Sequence, residues 1–128
     1  MPSFLVHRHS AGRRHYDLRL VQDDQVRSWS LLKEPPSRKG ERRLAVEREA
    51  LSAEQISRPF IEEDAFGAGR AQVWDSGEAV ISLKSPGRMV LLLEGNKLQG
   101  RYELRRMRWY PGNRWLMEKS GSGDANST

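Results

Sequence analysis

The stretch Arg14-His15-Tyr16-Asp17-Leu18-Arg19-Leu20-Val21 alternates in character from one residue to the next. His15, Asp17 and Arg19 fall at one parity, and Tyr16, Leu18 and Leu20 at the other. A β-strand turns successive side chains to opposite faces, so this period of two predicts a strand with one polar and one apolar face. Asp23-Asp24 follows as a turn signal, and Gln25 to Lys33 reads as the second arm of a hairpin.

The same period extends outward in both directions. Phe4 to His9 is a short β-type run ahead of the hairpin. Glu34 to Arg42, with Pro35-Pro36, Ser37 and Gly40, reads as a basic loop, and Arg43 to Glu49 as a further strand. Ser52 to Ile56 suits one helical turn capped by Ser52. Pro59 to Gly69 reads as an acidic loop. Arg70 to Asp75 and Glu78 to Leu83 are expected as strands about a Ser76-Gly77 turn, and Arg88 to Glu94 and Lys97 to Met107 as a hairpin about Gly95-Asn96. Trp115 to Lys119 closes the set. About seven to nine short antiparallel strands with little helix and no internal repeat predict a mainly β domain, a barrel or a sandwich. Residues 1–119 form that domain in this reading. The Gly-, Ser- and Asn-rich stretch 120–128 is expected to be a disordered tail. Trp29, Trp74, Trp115 and Leu91 to Leu93 are the expected core.

At 128 residues the chain fits one hydrophobic core. With no cysteine, a disulfide framework and a thiolate metal site are excluded. No apolar run approaches the roughly 20 residues that span a bilayer, and Met1 to Val6 lacks the makeup of a secretory signal. The expectation is a cytoplasmic protein with no membrane role. The net charge is +5, and most of the 22 basic residues are arginine, the side chain that grips phosphate with a planar fork. Both ends of the chain are basic and the middle, 44–95, is acidic. That distribution suits polyanion binding, and it equally suits a merely soluble surface. Trp109 and Tyr110 beside Arg105, Arg106 and Arg108 offer a stacking platform for bases, or are ordinary strand-end aromatics.

All three histidines, His7, His9 and His15, lie within the first 15 residues. His15, Asp17 and Arg19 project into one space, and His9 approaches across the turn at Ala11-Gly12. Two imidazoles and a carboxylate suit a divalent transition metal with open positions, with Arg19 placed to orient a phosphate. A histidine beside an aspartate is also a common surface hydrogen bond, and spacing leaves both readings open.

The run His9-Ser10-Ala11-Gly12-Arg13-Arg14-His15-Tyr16-Asp17-Leu18-Arg19-Leu20 resembles the hallmark of the 3'-phosphoesterase domain of bacterial DNA ligase D and its stand-alone relatives. The likeness continues through Ser28-Trp29, Lys33, Arg43-Leu44-Ala45-Val46, Phe66-Gly67-Ala68-Gly69, Val73-Trp74-Asp75-Ser76-Gly77 and Lys97 to Arg101. It spans about Phe4 to Lys119. The resemblance implies a compact β-barrel and a metal-dependent enzyme, typically using Mn2+ or another divalent metal. It implies action on DNA 3' ends, at a primer–template or nicked duplex, removing a terminal ribonucleoside and then the 3'-phosphate in end-joining repair. By position, His9, His15 and Asp17 are its metal ligands and, with Arg19, its catalytic set. Arg19, Ser28, Lys33 and Arg43 are its phosphate contacts. A monomer is expected, with a repair ligase or polymerase on other chains as partner.

The chain departs from that pattern in one important place. The family carries a further histidine a few residues after Arg43-Leu44-Ala45-Val46, whereas this chain reads Val46-Glu47-Arg48-Glu49-Ala50-Leu51 and has no histidine after His15. Glu49 is the candidate substitute. Two functions follow: a 3'-end phosphoesterase, or a catalytically weakened module of the same fold that binds nucleic acid ends or a repair partner.

Overall fold

The computed structural model describes residues 2–10, 14–52, 71–108 and 113–121. Among these it is all β and contains no helix, and hence none long and apolar enough to cross a membrane. The strands are β1 (Ser3–His9), β2 (His15–Gln22), β3 (Gln25–Leu31), β4 (Arg42–Ser52), β5 (Ala71–Ser85), β6 (Arg88–Glu94), β7 (Gln99–Arg106) and β8 (Arg114–Gly121). They close into an antiparallel barrel in the order β1-β2-β3-β4-β8-β7-β6-β5. The first four strands meander, β5 returns to pair with β1, and the last four meander back until β8 meets β4. Closure leaves the sheet no unpaired edge.

The predicted alternation holds where the barrel needs it. Tyr16, Leu18 and Leu20 of β2 are buried in the core with Phe4, Val6, Trp29, Leu91, Leu93 and Leu104. Trp29 and Trp115 meet edge to face, with centroids 5.6 Å apart and planes at 79°, an arrangement that aromatic quadrupoles favour. Arg27 caps the pair, 5.1 Å and 5.5 Å from the two ring centroids, and is held there by Glu47 at 2.8 Å. Two of the expected core residues sit further out. Trp74 is half-buried, packed against the core with Lys97 Nζ 4.4 Å above its ring, and Leu92 is half-buried on the outer face.

One expectation about the strands is corrected. Ser76-Gly77 is no turn: β5 runs unbroken for 15 residues, and the reversal into β6 comes at Pro86-Gly87. Gly77 marks a close approach instead, because a Cβ there would collide with the Glu94 carbonyl. Its neighbour Asp75 is buried and ties down the β6–β7 turn. The Asp75 carboxylate accepts hydrogen bonds from the backbone N–H groups of Ser76 (2.9 Å), Asn96 (2.8 Å), Lys97 (3.0 Å) and Leu98 (2.7 Å). Gly95 closes that arrangement, since a Cβ on it would strike the Asp75 carboxylate and the Phe4 ring.

At the other expected boundary, β8 continues through Ser120 and Gly121, and 122–128 lie outside the described residues. So do the acidic loop Pro59 to Gly69, the pair Trp109 and Tyr110, the Ala11-Gly12 turn and all of the proposed helical turn except Ser52, which ends β4.

Candidate active site

Because Leu18, Trp29 and Ala45 point into the barrel, the opposite parity of β1 to β4 faces outward. Register places the polar residues of that outer face in rows. His9 pairs with His15, and His7 with Asp17. Asp17 in turn pairs with Ser30, and Arg19 with Ser28. Ser30 pairs with Val46, and Ser28 with Arg48. Although this face looks away from the core, His7, His9, Asp17, Arg19 and Ser28 are all buried.

Asp17 is the hub. Its Oδ2 lies 2.6 Å from His9 Nε2, 3.6 Å from His15 Nε2 and 3.6 Å from Arg19 Nη2. The His9 and His15 rings stack, with centroids 4.5 Å apart and planes at 8°. Asp17 Oδ1 accepts a hydrogen bond from Ser30 Oγ at 2.6 Å. Burial pushes the Asp17 carboxyl up. Hydrogen bonds with His9 and Ser30, and the charges of His9 and Arg19, outweigh burial and hold it below its ordinary value. Asp17 is therefore an anion at neutral pH.

Arg19 is fixed on three sides. Its Nε donates to His7 Nδ1 at 3.2 Å, its Nη1 to Ser28 Oγ at 3.4 Å, and its Nη2 faces Asp17. A buried guanidinium held this way is a preorganised donor fork, suited to an anion that arrives from outside.

The donor atoms of His9, His15 and Asp17 all lie within 4.8 Å of one another. Two imidazole nitrogens and one carboxylate oxygen, two of the three residues buried, form a donor set that fits a divalent transition ion. The cluster expected from the spacing of His9, His15 and Asp17 is thus assembled by the fold.

The remaining expected residues divide. Ser28 joins the cluster through Arg19. Lys33 is exposed, two residues beyond the end of β3, and makes no bond to the cluster. Arg43 lies at the parity of buried Ala45, opposite Val46 and Arg48. Its guanidinium donates to the Glu34 carbonyl at 2.7 Å and faces Glu41 at 3.5 Å, so it braces the 32–41 loop instead of reaching Asp17. Glu49 is exposed and touches no cluster residue among those described. It falls in a bulge of β4, where two residues, Glu49 and Ala50, stand opposite the single Arg27 between the pairs Ser28–Arg48 and Val26–Leu51.

Three residues of the site were not singled out from the sequence. His7 and Ser30 were within reach, because the runs His7-Arg8-His9 and Ser28-Trp29-Ser30 carry the same period of two. Arg48 was not. Its Nε donates to Ser30 Oγ at 3.1 Å, so it joins Asp17 through one hydroxyl. Its alignment with Ser28 depends on pairing between β3 and β4, which no local pattern reveals. A second basic patch, lined by Arg88, Arg105, Arg106 and Arg108, lies apart, where the β5–β6 turn meets the end of β7.

Comparison with known proteins shows the family to which the chain belongs. Residues 7–106 match the family described as DNA Ligase D 3'-phosphoesterase domain. The multifunctional non-homologous end joining DNA repair protein LigD of Mycobacterium tuberculosis is 32% identical over 122 residues, 91% of this chain. The LigD proteins of Mycolicibacterium smegmatis and Pseudomonas aeruginosa are each 33% identical, over 91% and 97% of this chain. The matched region is 16% of the length of each of these relatives. The chain belongs to the DNA ligase D 3'-phosphoesterase domain family.

Proposed function

We propose that this chain is a metal-dependent phosphoesterase that trims DNA 3' ends, removing terminal ribonucleosides, 3'-phosphates or both, during end-joining repair. The observation that carries this reading is the convergence of His9, His15 and Asp17 within 4.8 Å, with the Arg19 fork beside them. His9, His15 and Asp17 would hold a divalent ion, with Mn2+ the proposed metal. Such an ion supplies a Lewis acid for a phosphoryl oxygen and lowers the pKa of water. Asp17, kept anionic by its partners, balances the charge of the ion. Arg19 neutralises charge that builds on the transferring phosphoryl group. Ser28 and His7 hold the guanidinium in one orientation, so little reorganisation is needed when the substrate arrives.

A second reading has its own support. No histidine follows His15, and Glu49 stands outside the cluster. Hydrolysis of a phosphomonoester needs a dianion steadied and a leaving oxygen protonated, so the phosphatase step is the weaker half of the activity, and end binding without efficient turnover is the alternative function. DNA 3' ends at a primer–template or nick are the proposed partners, with a repair ligase or polymerase as the proposed protein partner. Incubation of the protein with a primer–template bearing one 3'-ribonucleotide or a 3'-phosphate, with and without manganese, tests both readings. Manganese-dependent shortening supports the enzyme. Binding without any product supports the module.

A further inference from the structure

Arg48 completes a trough that the phosphoesterase reading leaves unexplained. Arg19, Ser28 and Arg48 are cross-strand neighbours on β2, β3 and β4. Two strand spacings separate the outer residues, roughly 10 Å between Cα atoms. On this face the middle strand presents Ser28 and Ser30 beside the two arginines, with buried Val26 next along the row, so the two guanidinium groups flank two hydroxyls. Arg48 uses its Nε on Ser30 Oγ at 3.1 Å. Its terminal Nη groups make no bond among the described residues, and the residue is exposed.

The charges point to the ligand. Arg19 has the Asp17 carboxylate 3.6 Å away. Arg48 has no acidic partner among the described residues, so it adds uncompensated positive charge at the mouth of the site. A bridging phosphodiester carries one negative charge, whereas a terminal phosphomonoester carries about −1.5 to −2 near neutral pH. A second fixed cation favours the terminal group.

We propose that Arg48 is a second phosphate-binding residue, pairing with Arg19 across the Ser28 and Ser30 hydroxyls to hold a terminal phosphomonoester. The proposal rests on the phosphoesterase reading of the same site. A guanidinium stays protonated throughout the working pH range, so Arg48 grips the phosphate and donates no proton to the leaving oxygen. The site therefore captures 3'-phosphate ends more readily than it hydrolyses them.

The test compares two primer–templates of one sequence, ending in 3'-phosphate or 3'-hydroxyl. Binding is followed by fluorescence anisotropy in the presence of chelator, over a range of salt. The wild type should prefer the 3'-phosphate end. Arg48→Ala should cut that preference about tenfold, the size expected for one charge-assisted contact. Its salt slope on the phosphate end should fall by about 0.7–0.9, the release expected for one lost contact. Arg48→Lys should keep the slope with part of the affinity. A wild-type preference that Arg48→Ala leaves intact, in slope and in magnitude, while Arg19→Ala abolishes it, overturns the proposal and leaves the phosphoesterase reading standing. Lost affinity with an unchanged slope also overturns it, because Arg48 would then only orient Ser30. A wild type indifferent to the 3'-phosphate also overturns the proposal, and the manganese-dependent shortening assay then decides the phosphoesterase reading separately.

Discussion

Replacing Asp75 with asparagine should destabilise the barrel strongly and leave the site chemistry untouched. Asp75 keeps nearly the same shape as asparagine, so the change isolates hydrogen bonding from packing. Its two oxygens accept four backbone N–H bonds between 2.7 and 3.0 Å, two on each oxygen. An amide has one oxygen and one NH2 group. Whichever way it turns, the NH2 faces two N–H donors, and the surviving pair of bonds loses its charge. Bonds to charged groups contribute about 1.5–3 kcal/mol each, and an unsatisfied buried donor costs about 1–3 kcal/mol. Two lost bonds therefore amount to about 3 kcal/mol at the low end. With a urea m-value of about 2 kcal/mol/M, the unfolding midpoint should fall by about 1.5 M. Asp75→Ala should lose more. Equilibrium unfolding followed by tryptophan fluorescence reads the shift directly. A midpoint change equivalent to less than about 0.5 kcal/mol would refute the anchoring role. Loss of manganese binding by folded Asp75→Asn would refute its separation from the site.

Manganese binding should require His9, His15 and Asp17 together. His15→Ala should weaken it by more than the roughly 10–100-fold typical of losing an outer-shell partner, as read by calorimetric titration; equal affinity in variant and wild type would remove the proposed metal site. The Glu41 carboxylate accepts N–H bonds from Ser37 and Arg38, which hold its pKa at about 2 against an ordinary 4.5. The unfolded chain takes up that proton first, so the stabilisation is complete above pH 4.5 and fades as pH falls toward 2. The stability difference between wild type and Glu41→Gln should be present at neutral pH and vanish in strong acid, and a difference independent of pH would contradict the assigned bonds.

The period of two in Arg14 to Val21 made the strand, its two faces and the shared side of His15, Asp17 and Arg19 legible in the sequence alone. The run from His9 to Leu20, with the motifs that follow it, was enough to place the chain in its family. Both are local properties: side-chain parity follows from backbone geometry within one strand, and a motif is read along the chain. What tertiary structure decided was non-local. Pairing of β1 with β5 and of β4 with β8 closes the barrel, and only then does the polar face of β2 become its outside. Ser76-Gly77 has the composition of a turn, yet it lies inside β5 because Gly77 must pass close to the Glu94 carbonyl of a distant strand. Arg43 and Arg48 are both arginines of β4, five residues apart and so at opposite parities. Parity sends Arg43 to the opposite face, and the pairing of Ser28 with Arg48 brings the latter beside the Ser30 hydroxyl that bonds Asp17. Register between strands is set by hydrogen bonds across the sheet, so parity along β4 separates the two arginines, but no reading along the chain could place Arg48 beside Ser28 and Ser30.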